Sequence, residues 1–308
     1  MQRYRVSIPA FRWFAFTAFL SMILIVLSGA AVRLTGSGLG CPDWPTCFHN
    51  RVTGSWSIHP LIEYTNRVIT VVLVCVTIVT FLAALARSPR RRDLVVFSGL
   101  LVLGVVADAV LGAFVVYSKL NPWLVSLHLL LSLSMVVIGA ILYHRSKYVY
   151  GPGARANVRD LHFRTLARLL WIPFVILLAT GTLTTGSGPH AGASQGQLIA
   201  RRLPIALANA AWIHSVAAVL FLGLVTGLLF AIWSTSAPVA LQLGVRRLVV
   251  LTLLQGLIGV TQYFTHLPAL LVELHVAGAT SLAIGVTQFH LRQSARDREP
   301  GTKRIRTT

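Results

Sequence analysis

Apolar residues fall in eight long blocks separated by short polar, basic or glycine-rich stretches. The blocks run at about 11–32, 61–86, 94–116, 123–145, 164–184, 205–232, 245–264 and 269–290. Each approaches the ~20 residues that a helix needs to cross a bilayer, so the pattern predicts eight transmembrane helices. The first block follows Arg3 and Arg5, as the apolar part of a secretory leader would. It is too long for that role and has a counterpart in the second half of the chain, so it reads as a helix.

Composition agrees. The 308 residues are 55% hydrophobic and only 11% charged, with mean hydropathy +0.74. A soluble domain carries about a quarter charged residues, so a water-facing surface is excluded and an all-α polytopic protein of the cell membrane is expected. The net charge of +19 would point to nucleic acid in a soluble protein. Here its distribution explains it: 21 of the 27 Lys and Arg lie at the N-terminus, 87–93, 145–168, Arg246–Arg247 and the tail from Arg292. Those segments share one side, so both termini are expected to be cytoplasmic, with Cys41 and Cys47 on the outside. No nucleic-acid partner is expected; the partner is the lipid membrane. Cys75 falls in an apolar run and reads as inert packing, whereas the first two cysteines can bridge in an oxidising compartment.

The chain repeats itself. Sixteen residues separate Gly112 from His128, and sixteen separate Gly259 from His275, with Leu120, Val125 and Leu127 matching Leu267, Val272 and Leu274. Leu34-Thr-Gly-Ser-Gly38 returns as Thr184-Thr-Gly-Ser-Gly188, Asp108 aligns with Gln255, and Asn66 falls nearly opposite His214. An even number of spans per repeat makes the halves parallel, which predicts two pseudo-symmetric four-helix bundles, each able to hold a cofactor. The expected divisions are 1–150, 151–291 and a basic tail at 292–308.

Chemistry must come from the few ionisable groups inside the spans. Glu63, Asp108 and Glu273 are the acids in or at the ends of them. His59, Glu63, Asn66 and Arg67 share a broad helix face; Arg67 either neutralises Glu63 or meets an anionic ligand while Glu63 serves chemistry. Asp108 and Glu273 read as helix-packing or helix-end groups. Of ten histidines, His128, His214 and His275 stand out, each one to two turns inside an apolar helix and in repeat-related places. Zinc is disfavoured, because no thiolate or compact histidine cluster accompanies them. Haem needs only one or two axial ligands and an apolar cavity. His214 and His275 make a bis-histidine pair; His128 has Asn66 as its counterpart.

These residues together resemble the haem A synthase family across essentially the whole chain. The most specific piece is Arg33-Leu-Thr-Gly-Ser-Gly-Leu-Gly-Cys41-Pro-Asp-Trp-Pro-Thr-Cys47, similar to the family's first outer loop. Glu63-Tyr-Thr-Asn66-Arg67, Leu120-Asn-Pro-Trp-Leu-Val-Ser-Leu-His128, Thr185-Gly-Ser-Gly-Pro-His190 and the His214 and His275 helices follow in order. The resemblance implies oxidation of the ring methyl of haem O to a formyl group through a hydroxymethyl intermediate, giving haem A for cytochrome oxidase. It implies cofactor haem b on His214 and His275, a substrate-haem ligand in His128, an essential acid in Glu63 and a disulfide between Cys41 and Cys47. Arg67 and Arg33 are the charge partners expected for haem propionates. Haem O is the expected substrate, haem O synthase and an electron donor the expected partners, and a homo-oligomer is compatible with the reading.

Two departures stand out. Most members carry histidine where this chain has Asn66, so either His59 substitutes or the substrate iron stays five-coordinate on His128. The stretch 185–205 lacks the second cysteine pair found in some members. The rival reading is an intramembrane dihaem b-type electron-transfer cytochrome without catalysis.

Overall fold

The computed structural model describes residues 5–48, 57–148, 161–193, 200–234, 237 and 239–293. His49, Arg51 and most of the basic tail lie outside them. Nine helices form among the described residues: α1 (Ile8–Leu34), α2 (Ile58–Ala86), α3 (Arg92–Tyr117), α4 (Pro122–Ser146), α5 (Leu161–Leu169), α6 (Trp171–Ser187), α7 (Leu207–Trp233), α8 (Val239–Phe264) and α9 (Ala269–Gln293). Eight helical stretches are long and apolar enough to cross a membrane.

The fifth apolar block differs from the expected single helix. It is divided at Leu170 into α5 and α6. Pro173 supplies the reason: it has no N–H for the carbonyl four residues back, at Leu169, and its ring crowds that carbonyl. Helix α8 begins at Val239, well before the expected start, because the helix continues through Gln242 and Arg246–Arg247 beyond its apolar stretch. Asp93, expected just outside the third block, lies in the first turn of α3.

Helices α1 to α4 pack in sequence order with α1 closing on α4, and α6 to α9 pack as α6 on α7, α7 on α8 and α8 on α9. The seam is made by α4 against α6 and α9, and by α1 against α9. One apolar cluster centres on Phe11, Met22, Leu101 and Leu142, the other on Phe174, Phe221, Leu248 and Phe289. Large apolar side chains such as Leu103, Val219 and Leu257 remain exposed around the outside, as a lipid-facing surface requires. Small residues allow close approach: a Cβ at Gly104 would stand 2.0 Å from Met135 Sδ.

Each end is tied by arginine. At the basic end, Arg91 grips Asp93 through Nε (3.1 Å) and a terminal nitrogen (2.7 Å), and Arg145 reaches the same carboxylate at 3.3 Å. Arg87 is 2% exposed and donates to the carbonyls of Pro89 and Tyr148. Burial, then the neighbouring Arg91, push its pKa down, and Asp93 opposes them. At the disulfide end, Arg33 crosses between the halves of the chain, donating to the carbonyls of His190 (2.7 Å) and Thr185 (2.8 Å). The amide of Gly38 donates to Gly192 nearby at 2.8 Å.

The two long repeats fold alike where they can be compared residue by residue. Lys119 and Leu120 take positive φ (55° and 62°), and so do His266 and Leu267 (63° and 60°). The amide of Leu120 donates to Val115 and that of Leu267 to Gln262, at 2.9 and 2.7 Å. Non-glycine residues rarely take this conformation, so two matched pairs mark a turn that sets how α3 meets α4 and α8 meets α9.

Candidate functional site

The apolar helices bring His214 of α7 and His275 of α9 together, with ring centroids 6.2 Å apart and planes 77° apart. Two imidazoles this close could hold one ion between them, each through a metal–nitrogen bond of about 2.0 Å. Thr180 Oγ1 lies 3.1 Å from His214 Nδ1, which fixes the ring from one nitrogen and leaves Nε2 to ligate. His275 Nδ1 is buried without a hydrogen-bond partner among the described residues.

Glycine seats these rings. A Cβ at Gly181 of α6 would stand 3.1 Å from His214 Cε1, and one at Gly259 of α8 would stand 3.3 Å from His275 Cε1. The third histidine follows the same rule: a Cβ at Gly112 of α3 would meet His128 Cε1 at 3.5 Å. Each singled-out intramembrane histidine thus lies against a glycine of the preceding helix. At Gly181 and Gly259 a side chain would crowd the ring, whereas at Gly112 the contact would be of ordinary length.

His128 has a further neighbour. Its Nδ1 is 2.8 Å from Asp108 Oδ1, an ion-pair distance whose angle falls outside a well-aligned hydrogen bond. Asp108 Oδ2 accepts from the Ser132 hydroxyl on α4. Asp108 thus packs α3 against α4 through Ser132 and also stands beside His128. Its signal in the sequence was its place one turn before Gly112. Gln255 occupies the matching place in α8, but its Nε2 donates to the His275 backbone carbonyl at 3.0 Å and leaves the ring alone.

Asn66 Oδ1 accepts from Ser28 on α1 at 2.7 Å. His59 Nδ1 lies 3.0 Å from the Ser37 hydroxyl. Neither partner was evident from the sequence. Glu273, two residues before His275, keeps Oε2 buried without a hydrogen-bond partner among the described residues.

Glu63 forms a separate knot at the disulfide end. It is 5% exposed; Oε1 accepts from Arg67 at 2.6 Å and Oε2 from the Cys41 amide at 2.8 Å. Of the two readings left open for Arg67, the geometry favours the ion pair. The same guanidinium donates to the carbonyls of Cys41, Asp43 and Thr46 at 3.0, 2.6 and 2.8 Å. Cys41 and Cys47 are bonded to each other and buried, so the loop is closed covalently above Glu63. Gly40 lets it approach: a Cβ there would lie 2.6 Å from the His59 carbonyl oxygen. Arg33 and Arg67, expected at propionates, both donate to backbone carbonyls that hold the outer loops.

No group of three or more His, Cys, Asp or Glu side chains converges among the described residues. The donor set is two facing imidazoles in one place and an imidazole with a carboxylate in another. It suits a planar cofactor that brings its own equatorial ligands and disfavours a bare tetrahedral ion.

Residues 12–287 match the cytochrome oxidase assembly protein family. A Bacillus cereus protein named heme A synthase is 24% identical over 279 residues, covering 86% of this chain and 87% of its own length. Proteins of the same name from Exiguobacterium sibiricum and Lysinibacillus sphaericus are 27% and 30% identical over 166 and 132 residues. The matches cover 52% and 42% of this chain, and it spans about half the length of those two relatives, 56% and 42%. With eight apolar helices and a family match along nearly its whole length, this multi-pass membrane protein belongs to the cytochrome oxidase assembly protein family.

Proposed function

We propose that the chain is a haem A synthase, an oxidoreductase that converts the ring methyl of haem O to a formyl group. Two successive two-electron oxidations, each needing an external oxidant and one oxygen atom, carry the methyl through hydroxymethyl to a geminal diol, which loses water to give the aldehyde. The observation that carries this reading is the His214–His275 pair, two imidazoles with ring centroids 6.2 Å apart, each beside a glycine of the preceding helix. In that site the residues fit haem b, which when bound supplies one-electron transfer.

The remaining assignments concern the chain's own side chains. His128 is the substrate-haem ligand, offering Nε2 while Nδ1 faces Asp108. Asn66 is bonded to Ser28, and His59 lies near Ser37. We assign the substrate iron to His128, which keeps its other face open to reactants. Glu63 is the proton-accepting or water-orienting group, with Arg67 as its charge partner. Arg67 and Arg33 hold the loops that cover the outer end, and apolar helix walls exclude water and suit the farnesyl tail. The two halves act as parallel repeats, one holding the cofactor and the other the substrate, with both termini cytoplasmic.

Co-expression with haem O synthase, followed by extraction and chromatography of the haems, tests the activity. Haem A is expected with the native chain and should vanish with Glu63→Gln. Accumulation of haem O alone with the native chain would refute the reading in favour of a non-catalytic cytochrome.

A further inference from the structure

We propose that Asp108 is a positioning residue that sets the donor strength of His128 and so the midpoint potential of the substrate iron. The inference rests on the assignment of His128 as an iron ligand and goes beyond it. Among the three histidine rings, only His128 faces an anion, with Asp108 Oδ1 at 2.8 Å from its Nδ1. His214 faces the neutral Thr180 hydroxyl, and the nearest amide to His275, on Gln255, bonds its backbone instead.

The surroundings are built for the contact. Asp108 and Gly112 lie one turn apart on α3, so one helix face supplies both the carboxylate and the glycine against which the ring lies. Ser132, one turn beyond His128 on α4, donates to the second carboxylate oxygen and fixes its rotation. The Asp108 side chain is 15% exposed, so water screens little of its charge.

A carboxylate 2.8 Å from Nδ1 stabilises positive charge on the imidazole through space, without an aligned hydrogen bond, and so makes Nε2 a stronger donor. Stronger donation favours ferric over ferrous iron. Asp108 should therefore lower the midpoint potential of an iron held by His128, compared with the same site without the carboxylate. It would also hold ferric substrate haem more firmly.

The test uses the full chain in detergent, titrated with haemin, comparing the native protein with Asp108→Asn, Ser132→Ala and His128→Ala. Asp108→Asn keeps the shape and removes the charge. It should weaken haemin retention at the His128 site by about 10–100-fold. Ferric affinity should fall more than ferrous, and each tenfold difference raises the midpoint potential by about 59 mV. The iron–imidazole stretching frequency of the reduced site should fall in parallel. Ser132→Ala should move potential and frequency in the same direction by less. The His214–His275 low-spin spectrum should stay unchanged in every variant, which reports an intact fold. Native-like retention, potential and stretching frequency in both Asp108→Asn and Ser132→Ala would overturn the proposal. Retention of that haem by His128→Ala is a separate failure, because it removes the ligand assignment beneath it.

Discussion

Replacing Gly181 with alanine should release the low-spin haem without destabilising the protein. The added Cβ would stand 3.1 Å from His214 Cε1, 3.6 Å from Nδ1 and 3.8 Å from Nε2. Carbon atoms pack best at about 3.5–4.0 Å, so the first of these is an overlap. The ring cannot simply turn, since Thr180 holds Nδ1 at 3.1 Å. Overpacking of this kind costs about 1–3 kcal/mol, or roughly 5- to 150-fold in affinity if the ligated state bears it. Alanine is meanwhile the better helix former by about 1 kcal/mol, so the fold has no reason to weaken. The same substitution at Gly259 meets His275 Cε1 at 3.3 Å and should cost less, while at Gly112 it meets His128 Cε1 at an ordinary 3.5 Å and should cost nothing. The assay is the haem-to-protein ratio and the reduced-minus-oxidised α-band of each purified variant, beside its melting temperature in detergent. Losses that rank Gly181, then Gly259, then Gly112 are expected. Equal losses at all three, or a native spectrum in Gly181→Ala, would refute the seat argument.

Other outcomes follow from the same geometry. Arg67→Ala leaves Glu63 buried without its counter-charge, which should cost about 3–5 kcal/mol and appear as a lower denaturation midpoint. Arg67→Lys should not restore it, because a point charge cannot reach Glu63 and three loop carbonyls at once; a native midpoint for the lysine variant would count against the clamp. Thr180→Val should weaken haem retention about fivefold through one lost hydrogen bond, and Thr180→Ser should keep it. Denatured, unreduced protein should take one thiol label, at Cys75, and three after reduction; three before reduction would exclude the bridge.

The spans were legible because their length and apolarity are set by the bilayer, whatever the helices touch. The division at Leu170 was not, although Pro173 marked it, since an apolar run hides a break in hydrogen bonding. The i,i+4 pairing of Glu63 with Arg67 could be read directly from spacing. Its loop partners could not: the carbonyls of Cys41, Asp43 and Thr46 reach Arg67 only after the disulfide loop folds back on α2. Asp108 with His128, Thr180 with His214 and Ser28 with Asn66 stayed hidden for one physical reason. Helices apolar on every side carry no polar stripe that fixes their rotation, so sequence spacing alone cannot say which residues of two spans meet. The glycines offered the only clue, as positions where a neighbouring ring needs the space.

The two repeats share a frame and differ in what surrounds the ring. The left-handed turns at Lys119–Leu120 and His266–Leu267 superimpose in kind, and both following histidines rest on a glycine one helix back. Those features place an imidazole but do not decide what it does. In α6–α9 a second imidazole stands 6.2 Å away, so on the proposed reading His214 and His275 would together hold one iron. In α1–α4 the residue corresponding to His214 is an amide engaged by Ser28, and His128 faces a carboxylate. A site with one strong ligand keeps a position open for chemistry and can release its occupant by breaking a single bond to iron. Substrate that enters, reacts and leaves needs both properties, whereas a resident electron carrier needs neither. The disulfide loop and its Glu63–Arg67 knot stand over that half alone among the described residues. On the proposed reading, catalysis belongs where the repeat is broken, and the other half would supply the resident cofactor.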